Sequence, residues 1–91
     1  MRARKKPIVV DVWKIEDPYF KDREILPVWV AKAFKVDIHF FKISSMQAGY
    51  LLVRTLEGNM RGEIGDYLIK GVAGELYTCK KEIFEKTYEV V

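Results

Sequence analysis

His39 and Cys79 are the only histidine and the only cysteine in this chain of 91 residues, so they are the first candidates for chemistry. A nucleophile needs a base beside it and a third group to orient that base. The two residues are far apart in sequence and could meet only across a sheet. Each also has a plainer reading. His39 stands between Ile38 and Phe40 in a strand-like run, where an imidazole lies on the polar face or bonds to backbone. Cys79, close to Tyr77, fits a small buried hydrophobe better than a reactive thiolate. Zinc is normally held by three or four Cys, His or carboxylate ligands, and the sequence has no cysteine pair or His-spaced cluster, so no metal or cofactor is expected. Asp66 with Glu63 or Glu75 could pair for acid–base work, but a solvated turn residue that caps the backbone at Gly65-Asp66 is the better reading. Gly71-Val72-Ala73-Gly74 lacks the helix start and lysine of a phosphate cradle and reads as a hairpin. No residue is assigned a catalytic role, and the expectation is a protein that is not an enzyme.

What remains is binding. Tyr50, Tyr67 and Tyr77 interleave with Arg54, Arg61 and Lys70 over successive strands. Such a face stacks bases and neutralises phosphate; the alternative is tyrosines in the core and cations in solvent. Arg54, Arg61, Lys70 and Tyr77 are the candidates for a ligand or nucleic acid. Tyr19 and Phe20 lie in a charged, proline-flanked stretch and are candidate anchors for a protein partner. Trp13 and Trp29 are expected as core anchors.

The charge is uneven. Of 16 Lys and Arg, four (Arg2, Arg4, Lys5 and Lys6) precede the first strand, leaving 12 basic against 13 acidic residues in 7–91. The sequence pI of about 9.0 therefore belongs to a tail. Residues 1–7 read as a basic arm able to touch phosphates non-specifically, or simply as a solvated terminus, and 8–91 as one α+β domain. At 49% hydrophobic and 32% charged residues the chain is too apolar for disorder, and no apolar run approaches the roughly 20 residues of a membrane helix. No apolar segment with a small-residue cleavage site follows the basic start, so a cytoplasmic protein without membrane partners is expected.

The elements that must position these residues follow from pattern. Residues 8–13 are β-branched and aromatic and read as a strand. Pro18 and Pro27 bracket a polar loop over 16–27. Leu26, Trp29, Val30, Ala33 and Phe34 recur at helical spacing and predict a helix over about 27–35. Strands are expected at 38–43, 50–56, 60–63, 67–70 and 75–79, turning at Gly58, Gly65 and Gly74 as a meander. A short helix over 80–86 and a last strand over 87–91 complete the order β-α-β-β-β-β-β-α-β. The class is α+β, with a bent, largely antiparallel, barrel-like sheet and two short helices. Several strands are apolar on both faces, so neither register nor the buried face is determined.

Thr55-Leu56-Glu57-Gly58, Gly65-Asp66-Tyr67-Leu68-Ile69-Lys70-Gly71-Val72, Gly74-Glu75-Leu76-Tyr77, Cys79-Lys80 and Ile83-Phe84-Glu85-Lys86-Thr87-Tyr88-Glu89 together resemble a widespread, largely uncharacterised family of small phage and prophage proteins. The likeness covers about the last 40 residues closely and the start loosely. Members often carry proline where this chain has Ile64, Thr78 and Lys81, so the turn before Gly65 and the start of the last helix are expected to be less rigid. The resemblance implies phage origin and a bacterial cytoplasm and supplies no catalytic residue.

Two readings follow. The first is a phage accessory protein that binds a host or phage protein stoichiometrically, interfering with a host function or defence, or that forms a homo-oligomer sequestering a small ligand such as a nucleotide. The second is a nucleic-acid-binding protein that uses the basic arm and the Arg/Lys/Tyr sheet face.

Overall fold

The computed structural model describes residues 1–4, 7–16, 26–42, 49–55 and 57–91. They form β1 (Asp11–Lys14), α1 (Val28–Val36), β2 (Ile38–Lys42), β3 (Gly49–Thr55), β4 (Gly58–Glu63), β5 (Tyr67–Lys70), β6 (Leu76–Cys79) and α2 (Lys81–Thr87). The class is α+β. All strand pairs are antiparallel and fall into two three-stranded sheets, β1-β5-β6 and β2-β3-β4.

The expected meander breaks at Gly65-Asp66. β4 and β5 are consecutive in sequence but do not pair, because residues 64–66 pass the chain from one sheet to the other. The amide of Ile64 donates to the Gly49 carbonyl (3.2 Å), still on the β3 side, and the next amide, of Gly65, donates to the Ile15 carbonyl (3.0 Å) beside β1. Ile15 returns its own amide to the Asp66 carbonyl (2.8 Å) and is fully buried at this crossing. The result is two sheets facing one another rather than one barrel-like sheet.

Between them lies the main core: Ile38, Phe40, Leu51 and Val53 from one sheet, Leu68 from the other, Ile15 from the crossing and Ala33 from α1, flanked by Trp13, Trp29, Phe34, Ile64 and Leu76. Both tryptophans are thus at the core as expected, and Trp13 meets Phe34 edge-on at 6.1 Å. Each fully buried aliphatic side chain here is worth about 1.5–3 kcal/mol, more than any exposed pair. Gly62 permits the close approach of the sheets. A Cβ there would lie 2.7 Å from Ile15 Cδ1 and 2.9 Å from Thr78 Cγ2.

Helix α1 begins where Pro27 fixes the backbone and its carbonyl accepts the Ala31 amide (3.0 Å); Val30 and Ala33 form its buried stripe. Helix α2 covers the other face of β1-β5-β6. There Phe84, buried, stacks on Tyr67 at 3.8 Å and on Tyr88 at 5.0 Å.

Two expected strand segments are corrected. Pairing of β1 starts at Asp11, not Ile8, because its partner β5 ends at Lys70 opposite Asp11 and then turns. Residues 88–91 form no strand. The Tyr88 amide closes α2 on the Phe84 carbonyl (2.8 Å) and its ring packs back on Phe84, so the chain is committed to the helix rather than to a sheet edge. Gly58, Gly65 and Gly74 all carry the positive φ their turns demand. At Gly74 (φ +84°) this closes the β5–β6 connection, with the Gly74 amide donating to the Gly71 carbonyl at 3.0 Å.

Candidate ligand-binding face

Alternation along β2, β3 and β4 sorts their side chains. Ile38, Val53 and Met60 stand in one cross-strand row and Phe40, Leu51 and Gly62 in another, both facing the core. The intervening rows face away from it: His39, Leu52 and Arg61, then Phe41, Tyr50 and Glu63, then Arg54 beside Asn59. This outer face has no layer over it among the described residues. His39, Arg54 and Arg61 are exposed, as is Phe41.

On this face four planar groups form a column across all three strands. The His39 and Phe41 rings meet at 4.4 Å and 62°, Phe41 stacks on Tyr50 at 5.1 Å and 18°, and the Arg61 guanidinium carbon sits 3.8 Å from the Tyr50 centroid. Glu63 anchors Arg61 by accepting from Nε at 2.7 Å. Both side chains of that ion pair are about half exposed, a setting in which such pairs contribute roughly 0–1 kcal/mol. An exposed cation–π contact is of the same order, so Arg61 is held by Tyr50 and Glu63 together, and its terminal nitrogens have no partner among the described residues. The column ends in an imidazole at one side and a guanidinium at the other.

The four residues singled out for ligand binding do not share a face. Arg54 and Arg61 lie on the outer face of β2-β3-β4. Lys70 ends β5 in the other sheet, between Asp11 and Leu76. Tyr77 lies on the α2 side of that sheet, its hydroxyl 3.5 Å from that of Tyr88. Burial, then the Tyr88 hydroxyl, pushes the Tyr77 phenol up to about 12. Tyr67 is likewise committed to α2 through Phe84. Of the three interleaved tyrosines only Tyr50 is on the arginine face. His39 and Phe41 were not read as part of such a face. The signal for them was present in the alternation Ile38, His39, Phe40, Phe41, which sends every second residue outward once the inner face is known.

Arg2 and Arg4 are exposed ahead of the domain. Lys5 and Lys6, and the proposed partner anchors Tyr19 and Phe20, lie outside the described residues.

The candidates for catalysis are dispersed or occupied. His39 is on the outer face of one sheet, whereas Cys79 shares a cross-strand row with Tyr67 on the α2 face of the other. The Cys79 thiol is pushed up by burial and by the nearby Asp66 charge, and its Sγ lies 3.7 Å from the Lys80 carbonyl. Asp66 is buried rather than solvated. Its carboxylate accepts from the Glu63 amide (3.1 Å), the Lys81 amide (3.1 Å) and Lys80 Nζ (3.4 Å). Glu75 accepts from the Ala73 amide within its own turn. Among the described residues no three His, Cys, Asp or Glu side chains cluster closely enough to hold a metal ion, and no helix is long and apolar enough to cross a membrane.

Compared with models of protein families, with curated proteins and with solved structures, the chain gives no match.

Proposed function

We propose that the protein is a non-enzymatic binder of single-stranded nucleic acid, which it holds on the outer face of β2-β3-β4. The observation that carries this reading is the exposed column His39, Phe41, Tyr50 and Arg61. Nucleobases stack on aromatic rings and on guanidinium planes irrespective of sequence, each contact contributing about 1–3 kcal/mol. Both ends of the column are planar and polarisable, so a base extends it without dismantling it. Arg54, on the same face, and the terminal nitrogens of Arg61, which Glu63 leaves unengaged, supply charge for phosphates. Duplex DNA, whose bases are stacked inside, offers nothing to such a column.

The second reading of the sequence is taken up here because the exposed column on the outer face of β2-β3-β4 supports it; Tyr19 and Phe20, the anchors of the first reading, lie outside the described residues and weigh on neither side. A small phage accessory protein that works by binding is compatible with both.

Fluorescence anisotropy with single-stranded and duplex oligonucleotides of about 12 nucleotides, within the site sizes of small single-strand-binding domains, tests the proposal. Single strands should bind more tightly, and Phe41→Ala or Tyr50→Ala should each weaken them by roughly 5- to 100-fold. Equal affinity for duplex, or single-strand binding that survives both substitutions, would overturn it.

A further inference from the structure

β1 is an edge strand. β5 holds one side of it and, among the described residues, the other side has no partner. Ile15 shows which polar groups face which way, because its amide and carbonyl both bond residues 65 and 66 on the β5 side. Main-chain groups alternate sides along an antiparallel strand. Trp13 and Asp11 therefore also face β5, whereas Lys14, Val12 and, by continuation, Val10 present their N–H and C=O groups to the open edge. The chain also continues beyond its pairing. Ahead of Asp11, opposite which β5 ends, come Ile8, Val9 and Val10, three β-branched residues with no strand beside them among the described residues; Ile8 is 51% and Val9 79% exposed.

Open strand edges are normally blunted by charge, bulges or a covering element. Pro7 and Lys14 bracket this one, and between them, over residues 8–12, Asp11 is the one charged residue among apolar neighbours. We propose that residues 8–12 pair antiparallel with the same residues of a second copy of this chain, across a two-fold axis at Val10, joining two β1-β5-β6 sheets into one six-stranded sheet.

The strand is self-complementary in that register. Opposed residues must lie on the same sheet face, so the axis falls on a residue rather than between two. With the axis on Val10, Ile8 stands opposite Val12 of the second copy and Val10 opposite Val10, which uses the main-chain groups that face the open edge. On the other face Val9 stands opposite Asp11. An axis on Asp11 would set two carboxylates against each other, a destabilising arrangement. An axis on Val12 would set Lys14 against Val10 and Glu16 against Ile8. An axis on Val9 would pair Ile8 with Val10 but shorten the apolar row and set Pro7, which has no N–H, against Asp11; the Val10 register gives the longest apolar row, Ile8, Val10 and Val12.

A five-residue ladder buries less than the roughly 1,200–2,000 Å² of a stable protein interface, so the dimer is expected to be weak and dependent on concentration. Sedimentation equilibrium of the full chain from about 5 to about 500 μM should show the mass rising from monomer toward dimer. Val10→Pro deletes the N–H at the axis and should hold the protein monomeric throughout. Its thermal midpoint should stay within about 4 °C of the parent's, because Val10 takes no part in the β1–β5 ladder. In a Cys79→Ser background, Val10→Cys should oxidise readily to a covalent dimer, while Val72→Cys, at an exposed turn, should not. A constant monomer mass, as expected if the edge serves a different protein, overturns the proposal. So does a dimer that Val10→Pro leaves intact.

Discussion

Asp66 caps helix α2 from 15 positions upstream: its Oδ1 accepts the Lys81 amide at 3.1 Å, while Oδ2 takes the Glu63 amide at 3.1 Å. One carboxylate thus ties the end of β4 to the start of α2. The residue just before the helix, Lys80, offers no side-chain cap of its own. Lys81 begins the helix with a free N–H, and Asp66 uses it.

Removing that carboxylate leaves two amides without their acceptor. An N-cap is worth about 1 kcal/mol and each unsatisfied, partly buried donor adds to the loss, so Asp66→Ala should destabilise by about 2–3 kcal/mol. In a domain of this size that lowers the thermal midpoint by roughly 10–20 °C. Asp66→Asn keeps one carbonyl acceptor and should recover part of the difference. Thermal unfolding followed by circular dichroism measures both; an Asp66→Ala midpoint equal to the parent's would show that the cap contributes nothing.

Gly62 tests the packing of the two sheets. Its added Cβ would press on Ile15 and Thr78, which are held by a buried crossing and by the β6 backbone. Gly62→Ala should cost about 1–3 kcal/mol, the range for overpacking. Gly58 makes the contrast: nothing lies within 4 Å of a Cβ there, and only its φ of +111° opposes a side chain. Gly58→Ala should cost about 1 kcal/mol. Urea denaturation of the two variants compares a steric penalty with a conformational one, and a milder effect at Gly62 than at Gly58 would contradict the close approach of the sheets.

These two residues also mark how far the sequence could be read. Local signals were legible because local chemistry makes them: the glycines at 58, 65 and 74 do carry the positive φ of turns, β5 occupies its expected residues, and both helices fall within one residue of theirs. Partner choice was not local. Nothing in Gly65-Asp66 distinguishes a turn that pairs β4 with β5 from one that sends β5 to β1, because the choice depends on Ile15, some 50 positions upstream, bonding to the turn. Sheet membership then decides the candidate site. Tyr50, Tyr67 and Tyr77 look equivalent in sequence, yet two of them belong to the α2 cluster and one to the arginine face. Gly62 within a strand was the available sign of close backbone approach.

Tyr77 should report the α2 cluster by its titration. Burial is the larger cause of its shift and Tyr88 the second, and together they place its phenol at about 12. Because the phenol ionises near 10 in the unfolded chain, the unfolded state releases the proton first as pH rises. The stabilisation carried by neutral Tyr77 is thus complete below pH 10 and is lost between pH 10 and 12. Spectrophotometric titration of the five tyrosines should show one late component, which Tyr77→Phe removes. Tyr88→Phe should lower it only part of the way, since burial remains. A Tyr77→Phe titration unchanged from the parent's would place the late component elsewhere.

The basic arm and the aromatic column should separate by salt. Arg2, Arg4, Lys5 and Lys6 put four positive charges ahead of β1 in the sequence, whereas stacking on the proposed column would itself release few counterions. If all four charges engage a single strand, they contribute a slope of about −3 in log affinity against log salt, and slightly more on duplex. Deleting residues 2–6 should remove most of that slope, and with it nearly all duplex retention, while leaving a salt-tolerant affinity for single strands. Phe41→Ala combined with Tyr50→Ala should do the reverse, reducing affinity at every salt concentration and keeping the slope. The fold should tolerate the deletion, since the first hydrogen-bonded strand begins at Asp11. If the deletion abolishes single-strand binding at all salt concentrations, the arm is the site, and the rings at Phe41 and Tyr50 are a cross-strand ladder that stabilises the β2–β3 pair.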